Sequence, residues 1–177
     1  MFERIRADPI WSKTYHWGML WGMEALVPEG KVPFKNYGTG VCPMDEGQLR
    51  TFSPQYLRDC FSRTSFTPHP CWACRMHHCH LIRIPRGRYA GHEGEEPEYE
   101  GYAAMGPQLG IWDGIAVTAL CNEVDRLGLD MNEAGWTIGM VIECYEKGLL
   151  TKHDTDGLEM TWGNVEAVSN MLFNIAH

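Results

Sequence analysis

The sequence predicts a mainly α-helical fold with long ordered loops. Helical patterns of apolar residues fill most of the chain after Asp113, whereas residues 28–55 are rich in glycine and proline and show no sustained period. Strand-like alternation is nearly absent, and we expect only one short strand, over residues 81–84. The chain has 177 residues, 44% of them apolar, which is enough to build the core of one domain.

The first half of the chain predicts two helices. Residues 10–27 indicate a single helix that ends at a Pro-Gly break and places Trp17 and Trp21 one turn apart, on one face. A shorter helix is expected over residues 53–62, because Ser53 can cap it and a proline then occupies its first turn.

The second half predicts three helices with clear start and stop signals. Asp113 can cap the first, which stops at Gly128. Asn132 can cap the second, which runs to Gly148 and packs back to back with the first. The last begins near Asn164, and its apolar positions predict packing against another surface.

Composition excludes several classes of partner. The formal net charge of -8 and the pI near 5.4 argue against binding to the phosphate backbone of nucleic acid, which requires concentrated Lys and Arg. No apolar stretch approaches the roughly 18 residues of a membrane span. Residues 1–9 carry Glu3 and Asp8 and lack the apolar core of a secretory signal. We therefore expect a soluble, cytoplasmic protein.

The most unusual stretch is residues 70–80, which hold three of the seven cysteines and three of the eight histidines. Cys71 and Cys74 form a Cys-x2-Cys pair, and Cys79 follows. Thiolates this close together repel one another unless a metal or a disulfide neutralises them. In a cytoplasmic protein such clusters more often bind metal or do redox work than stabilise the fold as disulfides.

Spacing alone leaves two metal sites equally favoured. Structural zinc needs a fourth ligand, which one of four nearby histidines can supply. These are His69, His77, His78 and His80. A four-iron cluster needs one more thiolate from elsewhere in the fold. A dithiol redox pair is less favoured, because Pro68 and Pro70 precede the cysteines where such a pair requires a strand.

The charges around this loop allow two interpretations. Four arginines can offset the negative charge of a thiolate-ligated cluster, or can balance the acidic segment that follows. They are Arg75, Arg83, Arg86 and Arg88.

The acidic segment itself contains five glutamates within residues 93–100, and a charge run of this kind is usually a solvated loop. Glu98 and Glu100, however, alternate with tyrosines. A carboxylate that aromatic rings partly desolvate holds its proton more tightly, which suits general acid or base catalysis.

The order of these features along the chain resembles the middle of the tungsten-dependent aldehyde ferredoxin oxidoreductase family, which includes the tungsten subunit of class II benzoyl-coenzyme A reductases. The matching motifs are Cys71-Trp72-Ala73-Cys74, Pro97-Glu98-Tyr99-Glu100, Gly106-Pro107, Cys121-Asn122, Asp125-Arg126-Leu127-Gly128-Leu129-Asp130, Gly157-Leu158 and Trp162-Gly163-Asn164. Their joint order is far more specific than any single motif. The resemblance implies the central helical domain of that fold.

The resemblance also implies a [4Fe-4S] cluster beside a tungsten held by two pterin dithiolenes. The first cluster cysteines fall on Cys71 and Cys74. The family spacing would place the third ligand at His78, one position before the thiol of Cys79, and we favour Cys79. Cys121 and Cys144 are candidates for a fourth ligand, although both lie in helical patterns that predict burial as apolar residues.

Six further site residues follow from the resemblance. The pterin-binding motif falls on Asp125, Gly128, Leu129 and Asp130. Glycine lets backbone approach the pterin, and aspartates can accept hydrogen bonds from its amino and ring N-H groups. The glutamate near the family's metal corresponds to Glu98 or Glu100, which are thus the catalytic candidates for proton transfer.

Members of that family are much longer, with an N-terminal pterin-binding domain and a C-terminal helical domain that supplies the fourth cluster cysteine. We therefore expect residues 1–177 to be one partial domain that is incomplete and inactive alone. Its parts are an N-terminal helix with loops (1–69), the cysteine loop (70–90) and a helical pterin-side region (91–177). Expected partners are the missing domains or a second copy in a homo-oligomer, and ferredoxin or another electron-transfer subunit.

The implied function is oxidation of aldehydes, or reduction of an acyl-CoA or aromatic substrate, with electron transfer through the cluster to ferredoxin. The alternative is a non-catalytic, zinc-stabilised helical module that binds a partner through the exposed face of its last helix.

Overall fold

The structure is a computed structural model that describes residues 2–60, 66–76 and 78–177. Within these ranges, the helices are α1 Phe2–Arg6, α2 Pro9–Trp17, α3 Gly22–Leu26, α4 Glu46–Arg50, α5 Pro54–Cys60, α6 Tyr99–Met105, α7 Gly114–Leu127, α8 Met131–Glu146 and α9 Val165–Ala176. The strands are β1 Phe66–Pro68, β2 His80–Arg83 and β3 Glu93–Glu95. The mainly α-helical prediction is confirmed.

The N-terminal segment is not the single helix that residues 10–27 predicted. It contains α2, a 3₁₀ turn over Met19–Trp21, and α3. The break falls at Gly18, whose φ of 67° lies in a region that other residues rarely adopt. Because the helix ends there, Trp17 and Trp21 do not share a helical face, and the Trp21 Nε1 donates instead to Thr14 Oγ1 at 3.1 Å.

The predicted short helix is present as α5. Ser53 caps it as expected, since its Oγ accepts from the Tyr56 amide at 3.1 Å. The helix is described as far as Cys60, and the last two residues of the predicted range lie outside the described residues. The preceding loop also contains α4, which the prediction missed. Asp45 and Gln48 form a reciprocal capping box that starts it.

The three strands form a small antiparallel sheet in the order β1-β2-β3. The predicted strand is confirmed as β2, and Ile82 at its centre is buried. The acidic segment, which composition assigns to a solvated loop, supplies β3 instead. Gly94 makes this possible, because a Cβ there would lie 2.6 Å from Asn122 Oδ1 on α7. The strand therefore packs closely on that helix.

Helix α6 lies at the centre of the core, and Gly101–Met105 are all buried. Tyr102 joins it to the start of α7, donating from its hydroxyl to the Gly114 carbonyl at 2.9 Å. The same ring packs edge-on against Phe52. The position of α6 fixes the glutamates at its N-terminus relative to the sheet.

The signals predicted for α7 are confirmed at both ends. Asp113 caps its start and accepts from the Ile115 amide at 2.9 Å, and Gly128 ends it with a φ of 70°. The next cap was predicted wrongly. Asp130, not Asn132, caps α8, because its side chain accepts from the Glu133 amide at 2.9 Å and the helix begins at the next residue.

Helix α8 packs against α6 more extensively than against α7, which corrects the expected back-to-back pairing. Gly135 permits this approach, since a Cβ there would lie 2.8 Å from Ala104. Helix α9 packs on α7, where Ser169 donates to Glu123 at 2.8 Å. None of the helices in the described part of the chain has the length and apolar character that a membrane crossing requires.

Candidate metal centre and the acidic segment beside it

The three predicted metal-binding cysteines lie on the loop that joins β1 to β2. The His69 amide donates to the Cys79 carbonyl at 2.9 Å and extends the strand pairing by one residue, so this bond closes the base of the loop. Cys71 and Cys74 are exposed, and a 3.0 Å bond from the Cys74 amide to the Cys71 carbonyl closes a turn between them. Ala73 within that turn has a φ of 57°, which is uncommon for alanine.

Cys79 lies in a different environment from the other two thiols. Its pKa is raised to about 11, first by burial and then, in decreasing order, by the negative groups Glu95, Cys71, Glu98 and Glu96. Its thiol is thus close enough to Cys71 and to the acidic segment to respond to both charges. Without a metal, Cys79 is held as the neutral thiol.

These neighbours bear on the two interpretations of the arginines. The groups that raise the Cys79 pKa are carboxylates and another thiol. Arg88 instead pairs with Glu166 on α9 at 3.3 Å, and so it neutralises an acidic residue far along the chain. Arg88 therefore balances an acidic residue and does not offset the charge of the thiols.

His78 lies near both Cys79 and the catalytic candidate Glu98. Its Nδ1 is 3.6 Å from the Cys79 sulfur. Its charge also lowers the pKa of Glu98, opposing the larger effects of burial and of Glu100, which raise that pKa. The two candidates for the third ligand, His78 and Cys79, therefore lie side by side. His77, another possible zinc ligand, lies outside the described residues.

The two catalytic candidates occupy the start of α6. Glu98 is at the N-cap position, where its carboxyl group is partly shielded by the protein, and this shielding is the first cause of its raised pKa. Glu100 lies in the first turn. Its Oε2 is buried without a hydrogen-bond partner in the described structure, beside a cavity of about 190 Å³ that Tyr37, Tyr99 and Trp136 also line.

The predicted pterin motif forms the junction between α7 and α8. Gly128 adopts the left-handed conformation, and the Leu129 amide donates to the Val124 carbonyl at 3.1 Å. Asp130 caps α8. Asp125 differs, because its pKa is raised by partial burial and by Glu95, which places it beside the acidic segment.

The acidic segment is what brings the candidates together. The Glu95 carboxylate acts on Cys79 and on Glu98. It also acts on Asp125. The cysteine loop, the start of α6 and the end of α7 therefore meet around the β3–α6 junction. Gly128 ends α7, as predicted, and Asp130 caps α8, a role that the sequence assigned to Asn132.

Sequence reasoning missed one buried polar cluster behind the loop. Glu96 was counted among solvated glutamates, yet its side chain is only 3% exposed. It contacts His80 at 2.9 Å and Arg58 at 3.5 Å. No local pattern distinguishes Glu96 from its neighbours, because its burial results from packing between distant segments.

Comparison with known proteins decides the family. The family model described as "Aldehyde ferredoxin oxidoreductase, domains 2 & 3" matches residues 1–177. The chain belongs to the aldehyde ferredoxin oxidoreductase family. The family assignment expected from the motif order is thus confirmed, and the relatives that match carry the names of oxidoreductase enzymes.

Three relatives show how the match is distributed. The tungsten-containing aldehyde ferredoxin oxidoreductase of Pyrococcus furiosus is 32% identical over 98% of this chain and 27% of its own length. That of Thermococcus kodakarensis is 30% identical over 99% and 27%. The "aliphatic sulfonate oxidoreductase, WOR-like subunit" of P. furiosus is 35% identical over 57% and 16%. The chain thus spans about a quarter of the two tungsten-containing relatives' length.

The donor set of this aldehyde ferredoxin oxidoreductase family member fits a metal cluster in chemistry and in chain order. Three thiols on one hairpin loop are the donors that iron–sulfur clusters and zinc both use. Among the described residues, no three or more Cys, His, Asp or Glu side chains stand close enough together to hold a metal ion as folded. A metal that used all three thiols would require the exposed Cys71–Cys74 turn to lie closer to Cys79.

Cys121, one of the two possible fourth ligands, is 1% exposed within α7. A Cβ at Gly101 of α6 would lie 3.2 Å from its sulfur, and burial raises its pKa. Cys121 therefore serves as an apolar packing residue between these helices, as its helical pattern predicted.

Proposed function

We propose that this chain is the cluster-binding part of a tungsten-dependent oxidoreductase. It oxidises an aldehyde, or in the reverse sense reduces an acyl-CoA or aromatic substrate, and passes electrons between tungsten and ferredoxin through a [4Fe-4S] cluster. One observation carries the proposal: the cysteine loop, the candidate acid–base residue Glu98 and the pterin-motif residue Asp125 all lie within electrostatic reach of Glu95.

In this proposal Cys71, Cys74 and Cys79 hold three corners of the cluster. The cluster and the tungsten pterin supply the redox chemistry when they are bound. Ligation requires thiolates. Burial and the nearby carboxylates both raise the pKa of Cys79, so they oppose the loss of its proton that ligation requires. The fixed base of the loop keeps Cys79 in place while the exposed Cys71–Cys74 turn closes.

Glu98 is the residue proposed to move the substrate's proton. A raised pKa brings a carboxyl group closer to the pH at which it can both accept and donate a proton. Glu98 lies near the cysteine loop, since the charge of His78 affects its pKa and its own charge affects that of Cys79. Glu100, whose Oε2 is buried and has no hydrogen-bond partner among the described residues, is the second candidate.

The proposed pterin contacts use the α7–α8 junction. A Cβ at Gly128 would meet nothing within 4 Å, so its backbone is open to the approach of a planar ring. Asp125 can accept hydrogen bonds from the amino and ring N-H groups of a pterin. One oxygen of Asp130 is already used in capping α8, and Leu129 packs against the core at the same junction.

The proposed partner of this chain is a protein that corresponds to the rest of the relatives' sequence. It would supply the second half of the pterin site and the fourth thiolate. A cytoplasmic location is proposed with it, because reduced thiols persist there.

The proposal is tested by anaerobic purification from the native host grown with tungstate, followed by aldehyde-dependent reduction of a viologen dye. General acid–base residues contribute roughly 100- to 10,000-fold to rate, so Glu98→Gln is expected to lower kcat by that order. Glu93→Gln, on the exposed strand β3, is the matched control. Full activity in both the Glu98→Gln and Glu100→Gln enzymes would remove the assigned acid–base role.

A second candidate function has one observation in its favour. His78 lies beside Cys79, so the loop offers a Cys3His donor set of the kind that binds structural zinc. In that case the chain is a zinc-stabilised interaction module. Metal analysis of the purified protein separates the two, because zinc without sulfide contradicts the first proposal.

A further inference from the structure

A buried polar cluster lies directly behind the cysteine loop. The side chain of Glu96 is 3% exposed, and its Oε2 accepts a hydrogen bond from His80 Nδ1 at 2.9 Å. Arg58 Nη2 lies 3.5 Å from the other carboxylate oxygen. A buried carboxylate persists only when it is paired and hydrogen-bonded, so these contacts are what keep Glu96 inside the protein.

Aromatic rings enclose the cationic member of the cluster. The Arg58 guanidinium is 5.1 Å from the Trp17 ring centroid and 5.2 Å from that of Phe66. Phe66 also stacks on His80, with 4.0 Å between centroids. Arg58 Nη1 donates to the His16 carbonyl at the end of α2. The cluster therefore ties α2 and α5 to all three strands.

The backbone is shaped to accommodate Glu96. Gly18, which breaks the N-terminal helix, lies close to this carboxylate, since a Cβ there would be in tight contact with Glu96 Oε2 at 3.3 Å. A buried charged pair contributes less to stability than apolar packing of similar volume. Stability alone therefore does not account for the pair, and its contacts direct attention to the residues that it holds in place.

The position that it fixes is the end of the cysteine loop. The Glu96 amide donates to the His80 carbonyl at 2.7 Å, while its side chain holds the His80 ring. Cys79 immediately precedes His80, and neighbouring residues of an extended strand project to opposite faces. Glu96 thus holds His80 through both its side chain and its backbone, and this fixes the chain position of the preceding residue, Cys79.

We propose that Glu96 and Arg58 are positioning residues for the metal ligand Cys79, acting through the side chain and backbone of His80. The inference rests on the proposed function, in that the loop is taken to hold a cluster. The inference thus assigns a role to two residues, Glu96 and Arg58, that are not themselves metal ligands. Partners that orient ligands in this way typically change metal affinity when they are removed.

The test compares Glu96→Ala and Glu96→Gln in the full chain, purified anaerobically and reconstituted with iron and sulfide. The alanine variant is expected to lose about tenfold in iron affinity against a chelator, and to show an altered EPR line shape and reduction potential of the reduced cluster. Glutamine is expected to restore all three, because its amide oxygen can still accept from His80 Nδ1. Glu93→Ala, at an exposed position three residues earlier in β3, is the control.

Wild-type affinity, line shape and potential in Glu96→Ala overturn the inference, as does a glutamine variant as impaired as the alanine one. If Glu96→Ala does not fold, His80→Phe carries the test with the same expectation, since it keeps the stacking on Phe66 and removes only the hydrogen bond to Glu96.

Amide hydrogen exchange of the metal-free protein separates this inference from the proposed function. The amides of His69 and Glu96 bracket Cys79, and both are expected to exchange faster in Glu96→Ala. If exchange is faster in Glu96→Ala but the wild type binds no iron, the proposed cluster is contradicted and the positioning role is not. Iron binding with unchanged exchange contradicts the positioning role alone.

Discussion

At the scale of single residues, Asp130 combines two assignments. Resemblance places it in a pterin-binding motif, and its carboxylate caps α8 through the Glu133 amide. A capping role requires only an acceptor oxygen, whereas the pterin role draws on the second oxygen and the charge of a carboxylate. The two roles can therefore be separated by substitution.

Asp130→Ala is expected to lower the free energy of unfolding by about 1 kcal/mol, because an N-terminal amide of α8 loses its acceptor. Asp130→Ser keeps a capping oxygen and is expected to recover most of that loss. Urea denaturation of the metal-free protein measures both. Equal stability of the alanine variant and the wild type would show that the cap contributes nothing.

Glu98 makes stability depend on pH in a defined direction. Its folded-state pKa lies above the ordinary value of 4.5, so the folded protein binds this proton more tightly than the unfolded chain does. The resulting stabilisation is present at low pH and is lost as the pH rises through the folded pKa.

Glu98→Gln is therefore expected to be more stable than the wild type at neutral pH, with the difference shrinking as the pH falls towards 4.5. Thermal unfolding at a series of pH values gives the comparison, with Glu93→Gln as the charge-matched control. A glutamine variant that is less stable at pH 7 and gains on acidification would reverse the assigned sign.

Residue-level prediction from the sequence succeeded where the signal is local. Ser53 and Asp113 cap helices because their own side chains reach the next turn, and Gly128 ends a helix because of its own φ. Glu96 could not be distinguished from its neighbours, because its environment comes from α2, α5 and β2.

At the scale of elements, glycines decide how the helices meet. Periodicity predicted α7, α8 and α9, but it gives no information on which helix α8 packs against. Gly135 supplies that information in the structure, since it faces Ala104 of α6 at a distance that excludes a side chain. The same limitation applied to the N-terminal segment, where the apolar pattern continued through Gly18 although the helix did not.

Gly135→Ala tests this packing. In an exposed helix the change would gain up to about 1 kcal/mol, but here the added Cβ would lie 2.8 Å from Ala104, and we expect a net loss of about 1–3 kcal/mol. Gly139→Ala meets the end of the Gln108 side chain instead, so its loss should be smaller. A Gly135→Ala protein with a raised urea midpoint would contradict the assigned contact.

One element was beyond prediction from local pattern. Lys35, Asn36 and Tyr37 are consecutive non-glycine residues with positive φ. The turn is held from outside, as the amides of Lys35 and Asn36 donate to the carbonyls of Pro107 and Gln108. Because the bonds come from residues over seventy positions away, no local preference could have indicated this conformation.

At the scale of the whole molecule, the chain brings together the residues that the proposed redox site requires. The thiol loop, an acid–base candidate and a pterin-motif junction meet around one short strand, in a sequence that spans about a quarter of the two tungsten-containing relatives' length. Motif order predicted the family, which the family match confirms, and it named the candidate site residues. The sequence did not predict that β3 would be the strand joining them, because its glutamates have the composition of a surface loop.

The most direct test of this account is the iron and acid-labile sulfide content of the anaerobically purified protein, compared with that of Cys79→Ser and Cys42→Ser. The account predicts a brown wild type containing both elements, loss of both in Cys79→Ser, and retention in Cys42→Ser, which changes a cysteine outside the loop. A colourless wild-type protein that carries zinc and no sulfide would contradict it.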